Sequence, residues 1–271
     1  ESVPGMALVV YEPPACTPLT TPLRVFDMAH AGNVSISQHW GQNGSRTGGA
    51  VWDASLVLAH YLDEHHARWQ GASLLELGAG LGFASIVASR CGFSRVLATD
   101  GDPAVVPMAQ HNVVDNSRVH SADVSVTHLE WGDDGALGAL FLERPFPDMI
   151  IASDVIYLGS TESWGDLLSL LTTLCRRRRE AHATSLPRGV TPLVLAQHDG
   201  TISAFGDPVV LLSHTRRYAR EEEHFFRAAR RRRFRVVELP DEAVHAHFRH
   251  NGRSSLYELQ WMGDTLRPHE E

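Results

Sequence analysis

Three acidic residues, Glu76, Asp100 and Asp154, each stand at the end of an apolar stretch of the sequence. Apolar stretches of this length are typical of buried strands, and a carboxylate at the end of one needs a partner, because an unpaired buried charge is costly. Such a carboxylate can bind a positively charged amino group or accept hydrogen bonds from hydroxyl groups. Asp100 follows Glu76 by 24 residues, which fits two parallel strands that flank one helix.

A glycine loop follows Glu76, in which Gly78, Gly80 and Gly82 alternate with other residues before the helical stretch 84–89. Glycines let a ligand approach the backbone, and the start of a helix presents unpaired N–H groups to it. A dinucleotide site would have the G-x-G-x-x-G spacing, but its third glycine is replaced by Phe here. Glu76 would repel a pyrophosphate and suits an ammonium group. The loop therefore favours S-adenosylmethionine over NAD.

The elements that must position these residues alternate along the chain. The predicted strands after residue 70 are the run that ends at Glu76 and residues 95–100, 124–129, 148–154, 208–214, 234–239 and 255–261. The predicted helices are residues 56–62, 84–89, 103–114, 164–175 and 221–231. Pro103 would lie in the first turn of the third helix, and the four arginines 176–179 would follow the C-terminal end of the fourth.

This alternation predicts the fold class. We expect an α/β protein with a Rossmann-like, seven-stranded, mostly parallel sheet, helices on both faces and an antiparallel C-terminal hairpin. Residues 180–207 fit the alternation poorly and are predicted to be an insertion, within which 192–197 could pair as a local strand.

The chain is predicted to be a single domain with two parts. Residues 1–70 would form an N-terminal arm, a strand and a helix that cap the binding site for S-adenosylmethionine, the methyl donor. Residues 71–271 would form the core that binds this donor. The first 32 residues show little periodicity and are expected to be irregular apart from a strand at 6–11. Residues 33–39 alternate between polar and apolar, as in a half-exposed strand.

Composition excludes several classes of protein. The formal net charge of −8 argues against a dedicated nucleic-acid binder. No apolar run reaches the roughly 18 residues of a membrane span, and the N-terminus lacks the basic and apolar regions of a secretory signal. We therefore expect a soluble monomer that binds neither nucleic acid nor a membrane. The sequence contains no lysine.

Cysteines and histidines point to neither disulfides nor metal. The three cysteines are Cys16, Cys91 and Cys175. Their spacing matches no zinc or redox motif, so we expect free thiols in a reducing compartment, which favours the cytoplasm, with the nucleus as an alternative. The histidines at 245, 247 and 250 have no cysteine or carboxylate at a metal-ligand spacing, so no metal site is predicted.

Four motifs together carry a family resemblance: Val51-Trp52-Asp53-Ala54, Glu76-Leu77-Gly78-Ala79-Gly80, Glu130-Trp131-Gly132 and Ser153-Asp154-Val155-Ile156-Tyr157. Their order and separations resemble those of the seven-strand protein-lysine methyltransferases. The most similar group is the methyltransferase-like 21 group, whose members modify 70-kDa heat-shock chaperones, the valosin-containing ATPase and elongation factors. The resemblance implies S-adenosylmethionine as cofactor and a cytosolic chaperone or other ATPase as substrate.

The resemblance also assigns donor contacts. The predicted donor-binding residues are Trp52, Glu76, Gly78, Ala79, Gly80, Asp100, Trp131 and Ser153. Trp52 would lie along the donor, Asp100 would accept hydrogen bonds from the ribose hydroxyls, and Trp131 would stack on adenine. The glycine loop would approach the methionine part, and Ser153 would line the site. Taken singly, Trp52 and Trp131 could be core aromatics, and Asp100 could cap the helix expected near Pro103.

On the acceptor side, the predicted catalytic residues are Asp154 and Tyr157, which resemble the pair that frames the incoming amine. Tyr157 alone could be a packing residue. Residues 211–218 are similar to the strand and turn on the far side of the acceptor groove. The family often has an acid two residues after Arg217, whereas this chain has Ala219, so the ion pair expected there is in question.

The sequence therefore predicts an S-adenosylmethionine-dependent protein-lysine N-methyltransferase. A small-molecule amine methyltransferase or a protein-arginine methyltransferase on the same fold is the alternative. A non-catalytic donor-binding module is the second alternative, and Asp154 at the acceptor side weighs against it, because a binder needs no acid there.

Overall fold

The computed structural model describes residues 9–10, 21–40, 47–117, 122–157, 161–185, 206–249 and 253–263. The strands in these parts are β1 (Val9–Val10), β2 (Leu23–Met28), β3 (Gly32–Ser37), β4 (Ser73–Leu77), β5 (Arg95–Asp100), β6 (Asp123–His128), β7 (Met149–Ser153), β8 (Val209–Thr215), β9 (Phe234–Glu238) and β10 (Ser254–Trp261). The α-helices are α1 (Asp53–Glu64), α2 (Phe83–Arg90), α3 (Val106–Asp115), α4 (Asp134–Leu140), α5 (Thr161–Ser185), α6 (Ala219–Arg231) and α7 (Ala246–Arg249).

The main sheet has seven strands in the order β6-β5-β4-β7-β8-β10-β9. The strands from β6 to β8 are parallel, and β10 runs antiparallel to both of its neighbours, β8 and β9. All residues of β4 and β8 are buried, as expected for central strands that are covered on both faces. The predicted fold class is confirmed.

Helices cover both faces of this sheet. Alternate residues of β7 point to opposite sides: Met149 and Ile151 belong to a core that includes residues of α1 and α2, and Ile150 and Ala152 belong to one that includes residues of α5 and α6. The predicted boundary at residue 70 falls just before β4, and the division into two parts stays a prediction.

A second, smaller sheet contradicts the expectation of an irregular N-terminus. Strand β2 pairs antiparallel with β3 and parallel with β1. Three of its four apolar residues, Val25, Phe26 and Met28, are buried, and Phe26 packs against Phe83 at the start of α2, with 4.5 Å between the ring centroids. The sequence concealed this strand because Arg24 is also buried, where Nη1 donates to the carbonyl of Val51 at 3.1 Å. The rest of the strand predicted at 6–11 lies outside the described residues.

Two predicted helix boundaries were wrong. Helix α3 begins at Val106, after a turn in which Val105 N donates to Asp102 O, so Pro107 and not Pro103 lies in its first turn. Helix α5 continues to Ser185, so the arginines 176–179 lie within it and not beyond its C-terminal end. Arg178 is buried and pairs with Asp148, the residue before β7, so this part of α5 is not a solvated helix end.

The predicted insertion at 180–207 begins inside α5, and its residues 186–205, including the local strand considered at 192–197, lie outside the described residues. Helix α4 was not predicted from the sequence; Asp133 caps it by accepting a hydrogen bond from Ala136 N at 2.8 Å. Among the described helices, none is long and apolar enough to cross a membrane.

Candidate active site

A cavity of about 800 Å³ opens at the carboxyl ends of β4, β5 and β7, where parallel α/β sheets bind their ligands. All but one of the residues predicted to form the site line this cavity. These are Trp52, Gly78, Ala79, Gly80, Asp100, Trp131, Ser153, Asp154 and Tyr157. The structure therefore brings together residues from five different parts of the chain.

The glycine loop forms one wall, and its conformation requires glycine. Gly78, Gly80 and Gly82 have φ angles of 70°, 52° and 79°, in the left-handed region that side chains disfavour. A Cβ on Gly78 would lie 3.3 Å from Val155 and 3.5 Å from the ring of Trp131. The loop thus leaves no room for side chains where a donor's methionine part would approach the backbone.

Glu76 is the predicted donor-binding residue that the structure does not place in the cavity wall. Its side chain is fully buried beneath the loop, where Oε2 accepts a hydrogen bond from the Ser85 hydroxyl of α2. Burial raises the pKa of Glu76 to about 7, and Oε1 has no hydrogen-bond partner. Contact between Glu76 and the donor's ammonium stays a prediction.

Asp100 fits a ligand role better than a helix cap. Its Oδ2 accepts a hydrogen bond from Gly80 N at 2.8 Å, and its Oδ1 accepts one from Asp102 N at 2.9 Å. Helix α3 starts six residues later at Val106 and has no side-chain cap. Burial raises the pKa of Asp100 despite these two backbone bonds. The carboxylate therefore fixes the glycine loop and lines the cavity with its acceptor oxygens.

Replacing Asp100 with alanine is expected to weaken donor binding by about 100-fold, because two charged hydrogen bonds to the ribose hydroxyls and the anchor of Gly80 are lost together. Calorimetric titration with S-adenosylhomocysteine, the demethylated product, measures this. The control is Asp115→Ala, an exposed α3 carboxylate that contacts His111. Unchanged affinity in a folded Asp100→Ala protein would contradict the ribose assignment.

Two tryptophans, Trp52 and Trp131, line the cavity. Both are only partly buried, whereas aromatic side chains of the core are buried. Trp52 lies directly before α1, and its Nε1 donates to the carbonyl of Thr47 at 2.8 Å. Its ring meets Trp40 edge-on, with 5.5 Å between centroids. Trp131 lies after β6 beside Gly78. Both have an accessible ring surface available for a flat ligand.

Asp154 follows β7 in an unusual backbone conformation. Its φ angle is +57°, and its N–H donates to Ser213 O of β8 at 2.9 Å. A positive φ is uncommon in residues other than glycine, although Asp adopts it more readily than most, and such a conformation supports the hypothesis of a functional role. The conformation aims the carboxylate along the end of β8, where only 7% of the side chain is exposed.

The Asp154 carboxylate has three neighbours on β8 and the turn that follows. Oδ2 accepts a hydrogen bond from Arg217 Nη2 at 2.7 Å, and Oδ1 accepts one from Thr215 N at 3.3 Å. His214 Nδ1 lies 3.6 Å from Oδ1. Burial alone would raise the pKa of Asp154, but the contacts with His214 and Arg217 lower it below its ordinary value. The carboxylate is therefore ionised at neutral pH.

Behind this carboxylate, the buried His214 lies between two acids. Its Nε2 is 3.1 Å from Glu222 Oε1 of α6, although neither ring nitrogen makes a well-aligned hydrogen bond. The sequence indicated the importance of residues 211–218 but not these contacts. The family resemblance suggested a local ion pair of Arg217 that Ala219 puts in question, whereas the structure pairs Arg217 with Asp154, 63 residues away.

Tyr157 lines the same side of the cavity and is 40% exposed, so it is not a buried packing residue. Burial of part of the ring raises the pKa of the phenol, and the negative charge of Asp100 raises it further. The phenol is therefore neutral near pH 7 and forms an amphipathic wall next to Asp154.

Cys91, Cys175 and His245 do not line this cavity. Cys91 and Cys175 are unpaired and buried, and burial raises the pKa of both thiols. His245 stacks on His60 with 4.2 Å between ring centroids. Within the described ranges, no group of three or more histidines, cysteines and carboxylates could hold a metal ion. Cys16 and His250 lie outside those ranges.

Comparison with known proteins agrees with this arrangement. A protein-family model described as "Lysine methyltransferase" matches residues 30–186. The chain is 37% identical to the protein N-lysine methyltransferase METTL21A of Xenopus tropicalis over 55% of this chain and 69% of that protein. It is 32% identical to METTL21A of Danio rerio over 86% of this chain and 90% of that protein. It is 31% identical to EEF1A lysine methyltransferase 3 of Xenopus tropicalis over 64% of this chain and 68% of that protein.

The family match covers more than half of the chain and contains the donor loop, both tryptophans and the Asp154–Tyr157 segment. The glycine cradle and the Asp100 carboxylate fit a nucleoside-containing methyl donor. The chain therefore belongs to the lysine methyltransferase family and is a methyltransferase whose cofactor is S-adenosylmethionine.

Proposed function

We propose that this protein transfers a methyl group to a lysine side chain of a cytosolic protein, such as a 70-kDa heat-shock chaperone or another ATPase. The observation that carries the proposal is the ionised Asp154 carboxylate, held at positive φ in the wall of the donor cavity. A protein that only binds the donor has no use for an ionised acid at this position.

The cofactor supplies a methyl group on a positively charged sulfur. In a single in-line step, an amine nitrogen can bond to the methyl carbon while the carbon–sulfur bond breaks and S-adenosylhomocysteine leaves. The task of the protein is therefore to hold two reactants in the correct orientation. Asp100, Trp131 and the glycine loop would hold the donor. Asp154 would attract and aim the lysine side chain, and Tyr157 would form the wall of the channel through which it arrives.

The protein must also deliver the amine without its proton. A lysine amine has a pKa of about 10.4 in water, so only a small fraction is neutral at pH 7. Exclusion of water favours the neutral form, whereas the charge of Asp154 favours the ammonium form. Asp154 is thus assigned to capture and orientation of the acceptor and not to proton removal.

The substrate and the compartment are part of the proposal. The resemblance to the methyltransferase-like 21 group supports a chaperone or ATPase as acceptor. The similarity to a methyltransferase named for EEF1A supports an elongation factor as the next candidate. Two unpaired buried thiols suit a reducing compartment, so we propose the cytoplasm, with the nucleus as a second location, and a monomer as the active form.

Incubation of the protein with tritiated S-adenosylmethionine and a cytosolic lysate is expected to label a protein band, in which mass spectrometry finds methylated lysine. Because the chain contains no lysine, such label cannot come from methylation of its own side chains. A reaction with Asp154→Asn is the control and should give at least about 100-fold less label.

Each other result identifies a different function. Label on arginine or only on small molecules would support the alternative transferase. No label, combined with tight donor binding, would support the donor-binding module. The proposed substrate class is wrong if the labelled lysine lies in a protein that is not a chaperone, an ATPase or an elongation factor.

A further inference from the structure

Arg217 carries the only positive side chain among the described residues that line the donor cavity. Five carboxylates line the same cavity: Asp100, Asp102, Glu130, Asp154 and Asp166. A cavity with this balance attracts cations, which suits capture of a lysine. It also keeps that lysine protonated, which prevents its reaction.

The guanidinium of Arg217 is held in place on two sides. Its Nη2 donates to Asp154 Oδ2 at 2.7 Å, and its Cζ lies 5.2 Å from the centroid of the Trp52 ring. A guanidinium over an indole face is attracted to it, and one hydrogen-bonded to a carboxylate is attracted more strongly. The cation thus bridges the predicted donor-side tryptophan and the predicted acceptor-side acid.

The backbone of Arg217 is fixed as well. Its N–H donates to Glu222 Oε1 at 3.2 Å, and the same oxygen lies 3.1 Å from the buried His214. The turn between β8 and α6 is therefore tied to the interior, and 32% of the Arg217 side chain remains exposed. The structure presents a fixed cation next to Asp154 and not a loose side chain at the mouth of the cavity.

We propose that Arg217 sets the protonation state of the acceptor: its guanidinium, held between Asp154 and Trp52, offsets the carboxylate charge so that the lysine can stay at Asp154 as a neutral amine. The inference rests on the proposed function, in which Asp154 receives that amine. It assigns to Arg217 the task that neither Asp154 nor Tyr157 can perform. The proton that the amine gives up leaves to the solvent.

The size of the effect follows from the charges. An opposite charge within about 4–6 Å shifts a pKa by roughly one to three units, so Asp154 alone would reduce the neutral fraction of the amine by roughly 10- to 1000-fold. The Arg217 guanidinium, 2.7 Å from that carboxylate, acts on the amine in the opposite direction. The titratable and charged groups of the cavity wall are Asp100, Asp102, Glu130, Asp154, Tyr157, Asp166, Arg217 and Tyr218, with His214 and Glu222 behind Asp154.

The test replaces Arg217 with methionine, which keeps the length of the side chain and removes its charge. With a lysate dilution series as acceptor, we expect the maximal methylation rate at pH 7.5 to fall roughly 10- to 100-fold, while the half-saturating amount of lysate stays equal or falls. The loss should shrink as the pH is raised toward 10, because more of the amine is then neutral.

A binding measurement gives a readout that does not depend on turnover. In the presence of S-adenosylhomocysteine, n-butylammonium is expected to bind Arg217→Met roughly tenfold more tightly than the unmodified protein, because the charge of Asp154 is no longer offset. n-Butanol, which is similar in size and uncharged, should bind both proteins equally.

Millimolar guanidinium added to Arg217→Ala should restore part of the methylation rate. A lysine replacement is avoided because it would place an acceptor amine in the site.

Arg216→Met is the matched control. Arg216 is the neighbouring residue, but it pairs with Glu238 and lies 3.3 Å from the Tyr257 hydroxyl, so its loss should leave the rate unchanged. The inference is overturned if Arg217→Met reacts as fast as the unmodified protein, or if its n-butylammonium affinity is unchanged or weaker. If the unmodified protein labels no lysine in the lysate, the proposed function fails instead.

Discussion

Replacement of Asp154 by asparagine is expected to reduce methylation at least about 100-fold while leaving donor affinity within about twofold. Asparagine has the same shape and also tolerates positive φ, so the backbone at +57° is retained. The neutral amide no longer attracts the lysine side chain and no longer forms an ion pair with Arg217. Loss of orientation of this kind typically costs about 100-fold in rate. Tritium transfer to lysate protein and calorimetric titration with S-adenosylhomocysteine measure the two quantities.

The comparison of rate with affinity is what makes this prediction specific. If donor affinity falls as far as the rate, Asp154 belongs to the donor site and not to the acceptor site. Asp123→Asn serves as the control, because this exposed carboxylate lies at the start of β6, at the opposite end of the strands from the cavity. It should change neither quantity.

The fold was predictable from the sequence wherever strands are buried on both faces. Strands β4 and β8 are buried along their whole length and are mostly apolar, so their positions along the chain are visible in the pattern of residues. Strand β2 was missed because its buried face includes Arg24, whose hydrogen bond to Val51 and contact with the Phe26 ring depend on the tertiary structure. The extension of α5 was missed for the same reason, since a run of arginines normally indicates a solvated helix end.

The site was predictable to the extent that it depends on strand ends and glycines. The orientation of the Glu76 side chain was not predictable. Alternation along β4 turns this side chain toward Ser85 of α2, and the glycine loop begins only after Leu77. The pairing of Arg217 with Asp154 was also not predictable from the sequence. It requires β8 to lie next to β7, and that neighbourhood follows from the sheet order and not from any local pattern.

The largest expected effect on stability comes from Arg178, within the arginine run 176–179. Its guanidinium donates to the carbonyls of Gly206, Phe146 and Pro147 at 2.6, 3.0 and 2.7 Å, and to Asp148 Oδ1 at 2.6 Å. Arg178→Met would leave these acceptors without a donor at the end of the sheet opposite the cavity. Removal of one partner of a buried pair costs about 3 kcal/mol or more. Chemical denaturation should show this loss in the free energy of unfolding.

The pH dependence of that loss distinguishes a charge effect from a packing effect. Burial would raise the pKa of Asp148, but the charge of Arg178 and the bonds from Ser73 lower it below the ordinary 3.8. A lowered pKa stabilises the folded state above pH 3.8, and this contribution is lost as the pH falls through the folded-state pKa. The penalty of Arg178→Met should therefore be complete at pH 7 and shrink below about pH 4, when Asp148 is protonated and needs no cation.

Arg177→Met, one residue earlier and partly exposed, should cost less than about 0.5 kcal/mol at either pH. A penalty for Arg178→Met that does not change with pH would show that the aliphatic part of the side chain, and not its charge, stabilises this end of the sheet.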